Sequence, residues 1–209
     1  MSAVPAKNKN LLFAIAGVVV LALMVVWFSG SDEPVGEMVP TVEVAAVQVT
    51  GVPLPSFVNE LGDVAVGMEA PGVSGVSFTG EEVSVAPGEG SAYVLGFFAH
   101  WCPHCQRELP GLSEWMMFND PPDGVEVVAV STAVNDGAPN YPPSAWFREV
   151  GWTADVLVDS EAMGVADAFG LSSYPFFVLV GADGKVVARV SGEIGIPVWE
   201  RLLEAAARG

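Results

Sequence analysis

Residues 92–118 read AYVLGFFAHWCPHCQRELPGLSEWMMF. The apolar run over residues 92–99 is typical of a strand that is buried on both faces of a mainly parallel sheet. The following residues, Pro103–Phe118, predict a helix, because proline is tolerated in the first helical turn. Cys102 and Cys105 therefore fall where a buried strand passes into a helix.

The rest of the chain continues this alternation of strands and helices. A hairpin is predicted before the junction, over residues 73–78 and 82–85. Further strands are predicted over residues 125–131, 155–158, 176–180 and 186–190, and helices over 144–150 with Ser144 as N-cap, over 160–169, and from Pro197 onward. This order predicts an α/β fold with a central mixed sheet flanked by helices.

The N-terminal region carries an uncharged apolar run over residues 11–28, preceded by Lys7 and Lys9. As a helix, these residues would span about 27 Å, which is close to the thickness of the hydrocarbon core of a bilayer. A cleaved signal peptide is the alternative, but the run is longer than the usual apolar segment and lacks a clear cleavage site. We therefore expect residues 1–30 to form a cytoplasmic tail and a transmembrane anchor.

The flanking charges predict how this anchor is oriented. Both lysines precede the run and Asp32 and Glu33 follow it, so the positive-inside rule places the short tail in the cytoplasm. The protein is then expected to be a single-pass membrane protein with an extracytoplasmic domain. Residues 31–63 are predicted to form a tether with at most one strand, and residues 64–209 the folded domain.

The charge balance excludes some partners. The chain has 25 acidic and eight basic residues, and all the acids but only six of the bases follow residue 30, which gives that part a net charge of −19. Such a surface would repel nucleic acid and anionic lipid, and we interpret it as a solvated face. No organic cofactor is indicated.

The two cysteines lie too close together to act as a structural crosslink. A loop of this length constrains the unfolded chain very little, so the pair is expected to serve chemistry. A helix N-terminus favours a thiolate at Cys102, and a protonated His104 would add positive charge beside it. Cys105, one turn later, could attack a mixed disulfide that Cys102 forms with a substrate.

Two other functions use the same residues. His100, Cys102, His104 and Cys105 are ligand types suited to zinc or copper, so a metal-binding or metallochaperone module is an alternative. Four ligands within six consecutive residues rarely complete a tetrahedron, and the preferred interpretation includes no metal site. A thiol peroxidase of related fold is another alternative, although its attacking cysteine usually lacks a partner three residues later.

Residues 97–105 (FFAHWCPHC) resemble the strand-to-helix active site of thioredoxin-like proteins. Residues 106–110 (QRELP) resemble the continuation in TlpA/ResA-type membrane-anchored thiol:disulfide oxidoreductases, a redoxin or AhpC/TSA-like branch. The resemblance covers about residues 64–209. It implies a thioredoxin-like fold, capture of substrate by Cys102 and resolution by Cys105.

The same resemblance implies supporting roles for neighbouring residues. Glu108 is placed to influence the protonation of the cysteines, although a solvated surface position is the alternative for it. Trp101 is expected to shield the disulfide, with Pro103 and His104 as the residues between the cysteines. His100 stands where relatives often carry a small residue, and we interpret it as structural.

Residues 173–176 (SYPF) match the cis-proline loop of the family. Pro175 is therefore predicted to follow a cis peptide bond, and Tyr174 to shape a substrate groove. The implied partners are disulfides or dithiols of exported proteins and an electron-transfer partner in or outside the membrane. Assistance to cytochrome c assembly is a role that the branch often implies.

The dipeptide Pro103-His104 leaves the direction of the reaction open. It is the pair found in the oxidising enzyme DsbA, whereas the TlpA/ResA branch is known chiefly for reductases. DsbA lies near −120 mV and thioredoxin near −270 mV, a gap of roughly 7 kcal/mol. We expect a reductase, with the reduction potential as the deciding quantity.

Overall fold

The computed structural model describes residues 41–208, which form an α/β domain with two sheets. Its strands are β1 (Gln48–Thr50), β2 (Gly72–Val76), β3 (Glu82–Val85), β4 (Ala92–Phe98), β5 (Val125–Ser131), β6 (Asp155–Val158), β7 (Phe176–Val180) and β8 (Val186–Ser191). Its helices are α1 (Pro103–Phe118), α2 (Pro143–Glu149), α3 (Gly164–Ala168) and α4 (Gly195–Arg208).

The larger sheet has the strand order β6-β5-β4-β7-β8. Strands β4, β5 and β6 run parallel to one another, while β7 is antiparallel to both β4 and β8. The prediction of a mixed central sheet is thus confirmed. Since β4 lies in the middle of this sheet, its carboxyl end is supported on both sides.

Every residue of β4 is buried, as the apolar run predicted. Leu95 and Phe97 face a core that they share with α3 and the smaller sheet. Val94 and Phe98 face the opposite core, to which α1, α2 and α4 contribute. Side chains of a strand alternate between the two faces, so a strand covered on both faces is apolar throughout.

The smaller sheet has the order β1-β2-β3 and is antiparallel. Strands β2 and β3 form the predicted hairpin, with Val73 paired to Val85. Both valines are buried against the core that contains Leu95 and Phe97.

The segment before residue 64 does not behave as the predicted tether over its described part, residues 41–63. The backbone N–H of Leu54 donates to Ala168 and that of Phe57 to Gly170, both at 2.8 Å. The side chains of Leu54 and Phe57 are buried in the core. The predicted start of the domain at residue 64 is therefore wrong, because apolar side chains of the preceding segment complete the core.

A buried arginine anchors this segment. Arg189 of β8 donates from Nε and Nη2 to the carboxylate of Asp63, at 2.9 and 2.6 Å, and from Nη1 to the carbonyl oxygens of Pro55 and Phe169. The Arg189 side chain is fully buried and its guanidinium lies 5.5 Å from the ring of Phe57. The ion pair lowers the pKa of Asp63.

The predicted start of α2 at Ser144 is wrong. The helix begins at Pro143, with Pro142 at the N-cap and no side-chain cap. Ser144 instead donates its backbone N–H and its hydroxyl to the carboxylate of Glu43. The N-terminal segment thereby supplies the acceptor that a serine N-cap was expected to provide.

Two other helices begin at positions that differ from the predicted ones. Helix α3 begins at Gly164 and not at residue 160, because Met163 has a left-handed backbone with φ of 56°. The carboxylate of Asp159 accepts from the backbone of Val165 and Ala166 and caps this shorter helix. Helix α4 begins at Gly195, two residues before Pro197.

The predicted membrane anchor, over residues 1–30, lies outside the described residues. Within residues 41–208, no helix combines the length and the apolar character that crossing a bilayer requires.

Candidate active site

The cysteines lie at the junction of β4 and α1. Cys102 is the N-cap of α1, with extended backbone angles (φ −73°, ψ 121°), and its carbonyl accepts from the N–H of Gln106 at 3.0 Å. This confirms the prediction that Cys102 stands at a helix N-terminus, since Pro103 occupies the first helical position. Unpaired N–H groups of the first turn therefore lie close to the sulfur of Cys102.

The two thiols differ in burial. Cys102 retains 6% of its accessible surface, whereas Cys105 has none. Both are free thiols in this structure. Burial raises the pKa of Cys105, which favours its protonated thiol.

The loop before β7 lies against Cys102. The peptide bond between Tyr174 and Pro175 is cis, as predicted. The Cys102 Sγ lies 3.8 Å from the carbonyl oxygen of Tyr174, to which its thiol donates. The surface around Cys102 therefore includes the backbone of the proline loop.

Aromatic side chains form the rim of this surface. The rings of Trp101 and Tyr174 meet edge to face, with centroids 5.9 Å apart. The Trp101 indole N–H donates to the carbonyl of Ala133 at 2.7 Å, and the Tyr174 hydroxyl donates to the sulfur of Met163 at 3.7 Å. Burial raises the pKa of Tyr174 to about 12, so the ring stays neutral and apolar.

His100 connects the active-site segment to the loop over residues 132–142. Its Nε2 accepts from the backbone N–H of Asn135 at 3.1 Å, so Nδ1 carries the hydrogen and donates to the carbonyl of Pro139 at 2.8 Å. Its carbonyl accepts from the side-chain amides of Gln106 and Asn140. This geometry agrees with the structural interpretation of His100 and leaves neither ring nitrogen available to a metal.

His104 is exposed to solvent and contacts a carboxylate that lies 89 positions later in the sequence. Its Nδ1 lies 2.6 Å from Oε1 of Glu193, in the loop between β8 and α4. Arg107, one turn along α1, donates from Nε and Nη2 to the same carboxylate. The three side chains form an exposed ionic cluster beside Cys102.

Glu108 is buried, so the alternative of a solvated surface position is wrong. Its side chain lies under the β8–α4 loop, where Oε1 accepts from the N–H of Gly195 at 2.9 Å. Burial raises the pKa of Glu108, with hydrogen bonds from this loop opposing the shift. Glu108 and Cys105 share one face of α1, three residues apart.

The alternative of a metal site gains no geometric support within the described residues. Across residues 41–208, no group of three or more histidine, cysteine, aspartate or glutamate side chains is arranged to bind a metal ion. Both ring nitrogens of His100 are hydrogen-bonded, and His104 contacts Glu193.

Sequence reasoning missed Glu193, the role of Arg107 and the packing of the 132–142 loop against the active site. Glu193 lies 86 positions after Arg107 and stands in no motif. The glycines at positions 192 and 195, both with positive φ, mark a turn there but do not indicate which helix the turn contacts.

Known proteins share this fold and this sequence pattern. The chain is 29% identical over 137 residues to the thiol-disulfide oxidoreductase ResA of Geobacillus thermodenitrificans, covering 66% of this chain and 75% of that one. It is 28% identical over 150 residues to ResA of Geobacillus kaustophilus, covering 72% and 83%. A thiol:disulfide interchange protein of the thioredoxin family from Chlorobium tepidum superposes with a TM-score of 0.54 at 23% identity, covering 67% and 96%.

A family profile also matches the chain. The sequence profile of the AhpC/TSA family matches residues 62–189, which is more than half of the chain and includes both cysteines and the proline loop. The structural likeness supports the same thioredoxin-like fold. This chain is a member of the AhpC/TSA family.

Proposed function

We propose that this chain, a thiol:disulfide oxidoreductase of thioredoxin-like fold, reduces disulfides of exported proteins through Cys102 and Cys105. One observation carries the proposal: the sulfur of Cys102 lies 3.8 Å from the carbonyl before Pro175, while Cys105 is fully buried. A substrate can therefore reach one cysteine only, and it does so beside backbone groups that can pair with it.

The reaction proceeds by two exchanges. The thiolate of Cys102 attacks one sulfur of the substrate disulfide, which forms a mixed disulfide and releases the other sulfur as a thiolate that takes up a proton. Cys105 then loses its proton and attacks the sulfur of Cys102, which releases the second substrate thiol. The substrate gains two electrons and two protons, and the enzyme is left with a Cys102–Cys105 disulfide.

Glu108 is proposed to accept the proton of Cys105 in the second exchange. Its carboxyl group is buried on the same face of α1 and its pKa is raised, which brings its proton affinity closer to that of a thiol. Trp101 and Tyr174 are proposed to line the substrate groove, with Pro175 orienting the backbone that receives the peptide. Pro103 starts the helix that stabilises the thiolate. No cofactor is needed because the two sulfurs carry both electrons.

The location of this chemistry is also a proposal. The uncharged run over residues 11–28 and the lysines before it support a single membrane anchor with a cytoplasmic N-terminus. Because the described domain already begins by residue 41, the proposed extracytoplasmic tether is shorter than residues 31–63. Extraction of membranes with alkaline carbonate tests the anchor: an integral protein stays in the pellet, and release into the supernatant would refute it.

The partners follow from this location. An electron donor in the membrane or outside it would reduce the Cys102–Cys105 disulfide again after each turnover. Apocytochrome c, whose thiols must be reduced before haem is attached, is a substrate that the resemblance implies. A Cys105→Ser chain would trap such substrates as mixed disulfides, and a Cys102→Ser, Cys105→Ser chain is the matched control.

The reduction potential tests the direction. The full-length chain is equilibrated with glutathione buffers, and the fraction of Cys102–Cys105 disulfide is measured by alkylation. A value near the −270 mV of thioredoxin is expected for a reductase. A value near the −120 mV of DsbA would show an oxidase, and the absence of a titratable disulfide would refute thiol:disulfide exchange by this pair.

A further inference from the structure

The loop between β8 and α4 brings an acidic side chain to the active-site helix. Oε1 of Glu193 lies 2.6 Å from Nδ1 of His104, and Nε of Arg107 lies 3.1 and 3.3 Å from the two carboxylate oxygens. His104 is one of the two residues between the cysteines, and Arg107 lies one turn further along α1. A single carboxylate therefore binds both His104 and Arg107.

The proton on His104 can be assigned from this geometry. Nδ1 also lies 2.8 Å from Nη2 of Arg107, but guanidinium groups only donate, and Nδ1 cannot accept from Arg107 while donating to Glu193. The shorter distance to an anionic acceptor makes Nδ1 the donor, so the bond to Glu193 is the real one. Nδ1 therefore carries a hydrogen, and its bond to Glu193 fixes the ring of His104.

The position of Glu193 is held independently of this cluster. Gly195, two residues later, donates its N–H to the buried carboxylate of Glu108. Gly192, one residue earlier, donates its N–H to the carbonyl of Pro175 at 2.8 Å and has a φ of 90°. The loop is tied to α1 on one side and to the proline loop on the other, so Glu193 is presented to His104 by the backbone.

Arg107 lies within Coulombic range of the sulfur of Cys102. A cation next to a cysteine stabilises the thiolate, and a dithiol whose thiolate is stabilised is a stronger oxidant in its disulfide form. Hydrogen bonds from Arg107 and then His104 lower the pKa of Glu193, so its carboxylate is ionised at neutral pH. Its negative charge offsets the positive charge of Arg107, which would otherwise stabilise the thiolate.

We propose that Glu193 is a positioning residue that makes the Cys102–Cys105 pair more reducing, by holding His104 and Arg107 and offsetting the charge of Arg107 near Cys102. The inference rests on the proposed thiol:disulfide exchange. Glu193, which lies outside the sequence motif, would then oppose the oxidising effect of the dipeptide Pro103-His104 on the reduction potential. The direction of the enzyme then depends on the β8–α4 loop as well as on the residues between the cysteines.

The test is the reduction potential of full-length Glu193→Gln against the unchanged chain, measured in glutathione buffers. The amide preserves the shape of the side chain and removes its charge. The equilibrium constant is expected to shift toward the dithiol by about three- to tenfold, where tenfold corresponds to about 30 mV. An unchanged potential, or a shift toward the disulfide, would overturn the inference.

A matched control separates this effect from a loss of net charge. Glu204 of α4 forms an exposed ion pair with Arg208, so Glu204→Gln removes one charge and one ion pair away from the cysteines. Its potential is expected to stay that of the unchanged chain, and a shift as large as that of Glu193→Gln would overturn the inference.

A second background tests whether Glu193 acts through its two partners. In a chain with His104→Gln and Arg107→Gln, the further change Glu193→Gln is expected to alter the potential much less than it does alone. A shift of undiminished size would overturn the proposed route. If the unchanged chain itself shows no titratable disulfide, the proposed function fails, which is a different outcome from equal potentials in two active chains.

Discussion

Two regions of this domain use ion pairs in opposite ways. At the active-site junction, Glu193 binds His104 and Arg107 on the surface. At the anchor of the N-terminal segment, Arg189 binds Asp63 in the core, where the two side chains are 0% and 3% exposed. Solvent screens the first cluster, so it contributes little to the stability of the fold. The second pair is buried, so removal of either side chain leaves the other buried without its counter-ion.

Loss of the sulfur of Cys102 should have the largest effect, which is on the rate of disulfide exchange and not on stability. Cys102→Ser is expected to reduce disulfide exchange to the uncatalysed rate, because a hydroxyl cannot form the mixed disulfide. Reduction of a disulfide-bonded protein substrate, followed by the release of its thiols, measures this loss. Urea unfolding should show that stability is nearly unchanged, since the substituted atom lies at a helix terminus. Residual exchange at more than a tenth of the original rate would contradict the assignment of Cys102.

Loss of the Arg189–Asp63 ion pair should lower stability and leave the redox chemistry unchanged. Arg189→Met is expected to lower the free energy of unfolding by about 3 to 5 kcal/mol, because it leaves the buried carboxylate of Asp63 without its counter-ion, with only the N–H of Ala65 as a donor. Unfolding in urea measures this change. The reduction potential of the folded fraction should stay the same, because Arg189 lies outside the active-site cluster.

An exposed ion pair on the same hairpin is the control for the Arg189–Asp63 prediction. Lys185 forms an exposed ion pair with Asp183 at 3.8 Å, and Lys185→Met should change stability by no more than about 0.5 kcal/mol. Equal losses of stability for Lys185→Met and Arg189→Met would show that burial of the Arg189–Asp63 pair contributes nothing to stability.

The buried acid beside Cys105 should have an intermediate effect on rate. Glu108→Gln is expected to slow the second exchange by about 10²-fold, because the amide cannot take the proton of Cys105. Stopped samples separated without reducing agent would show a longer-lived mixed disulfide. Glu114→Gln, a change at an exposed position of the same helix, is the control. Equal lifetimes in the Glu108→Gln and Glu114→Gln chains would remove Glu108 from the mechanism.

The two buried carboxyl groups should give the smallest and opposite effects, on the pH dependence of stability. The ion pair with Arg189 lowers the pKa of Asp63, so its contribution is present above about pH 4, near the value in the unfolded chain, and is lost as pH falls through the folded value. Burial raises the pKa of Glu108, so its neutral form contributes stability to the fold below about pH 4. This contribution is lost as the pH rises through the pKa of Glu108 in the folded chain.

Urea unfolding between pH 3 and pH 7 measures both slopes. Relative to the original chain, Glu108→Gln should become more stable as the pH rises, whereas Asp63→Asn should become less stable. The same slope in the two variants would contradict the assigned shifts.

The elements around the cysteines could be predicted from local patterns. An unbroken apolar run identified β4, a proline after Cys102 marked the start of α1, and the match of residues 173–176 to a known loop predicted the cis bond before Pro175. Helix starts were less predictable where distant groups supply the cap. Glu43 satisfies the backbone of Ser144 from 101 positions away, and no local pattern records such a contact.

By itself, the sequence predicted the fold class, the two cysteines as candidate reactive groups and the position of Cys102 at a helix N-terminus. These follow from hydrophobic periodicity, from helix-start signals and from a motif of consecutive residues, all of which act over short distances along the chain. Only the tertiary structure decided that residues 41–63 belong to the domain, that Glu108 is buried and that Glu193 meets His104. Each of these depends on which faces pack together, and packing joins side chains such as Asp63 and Arg189 across 126 positions.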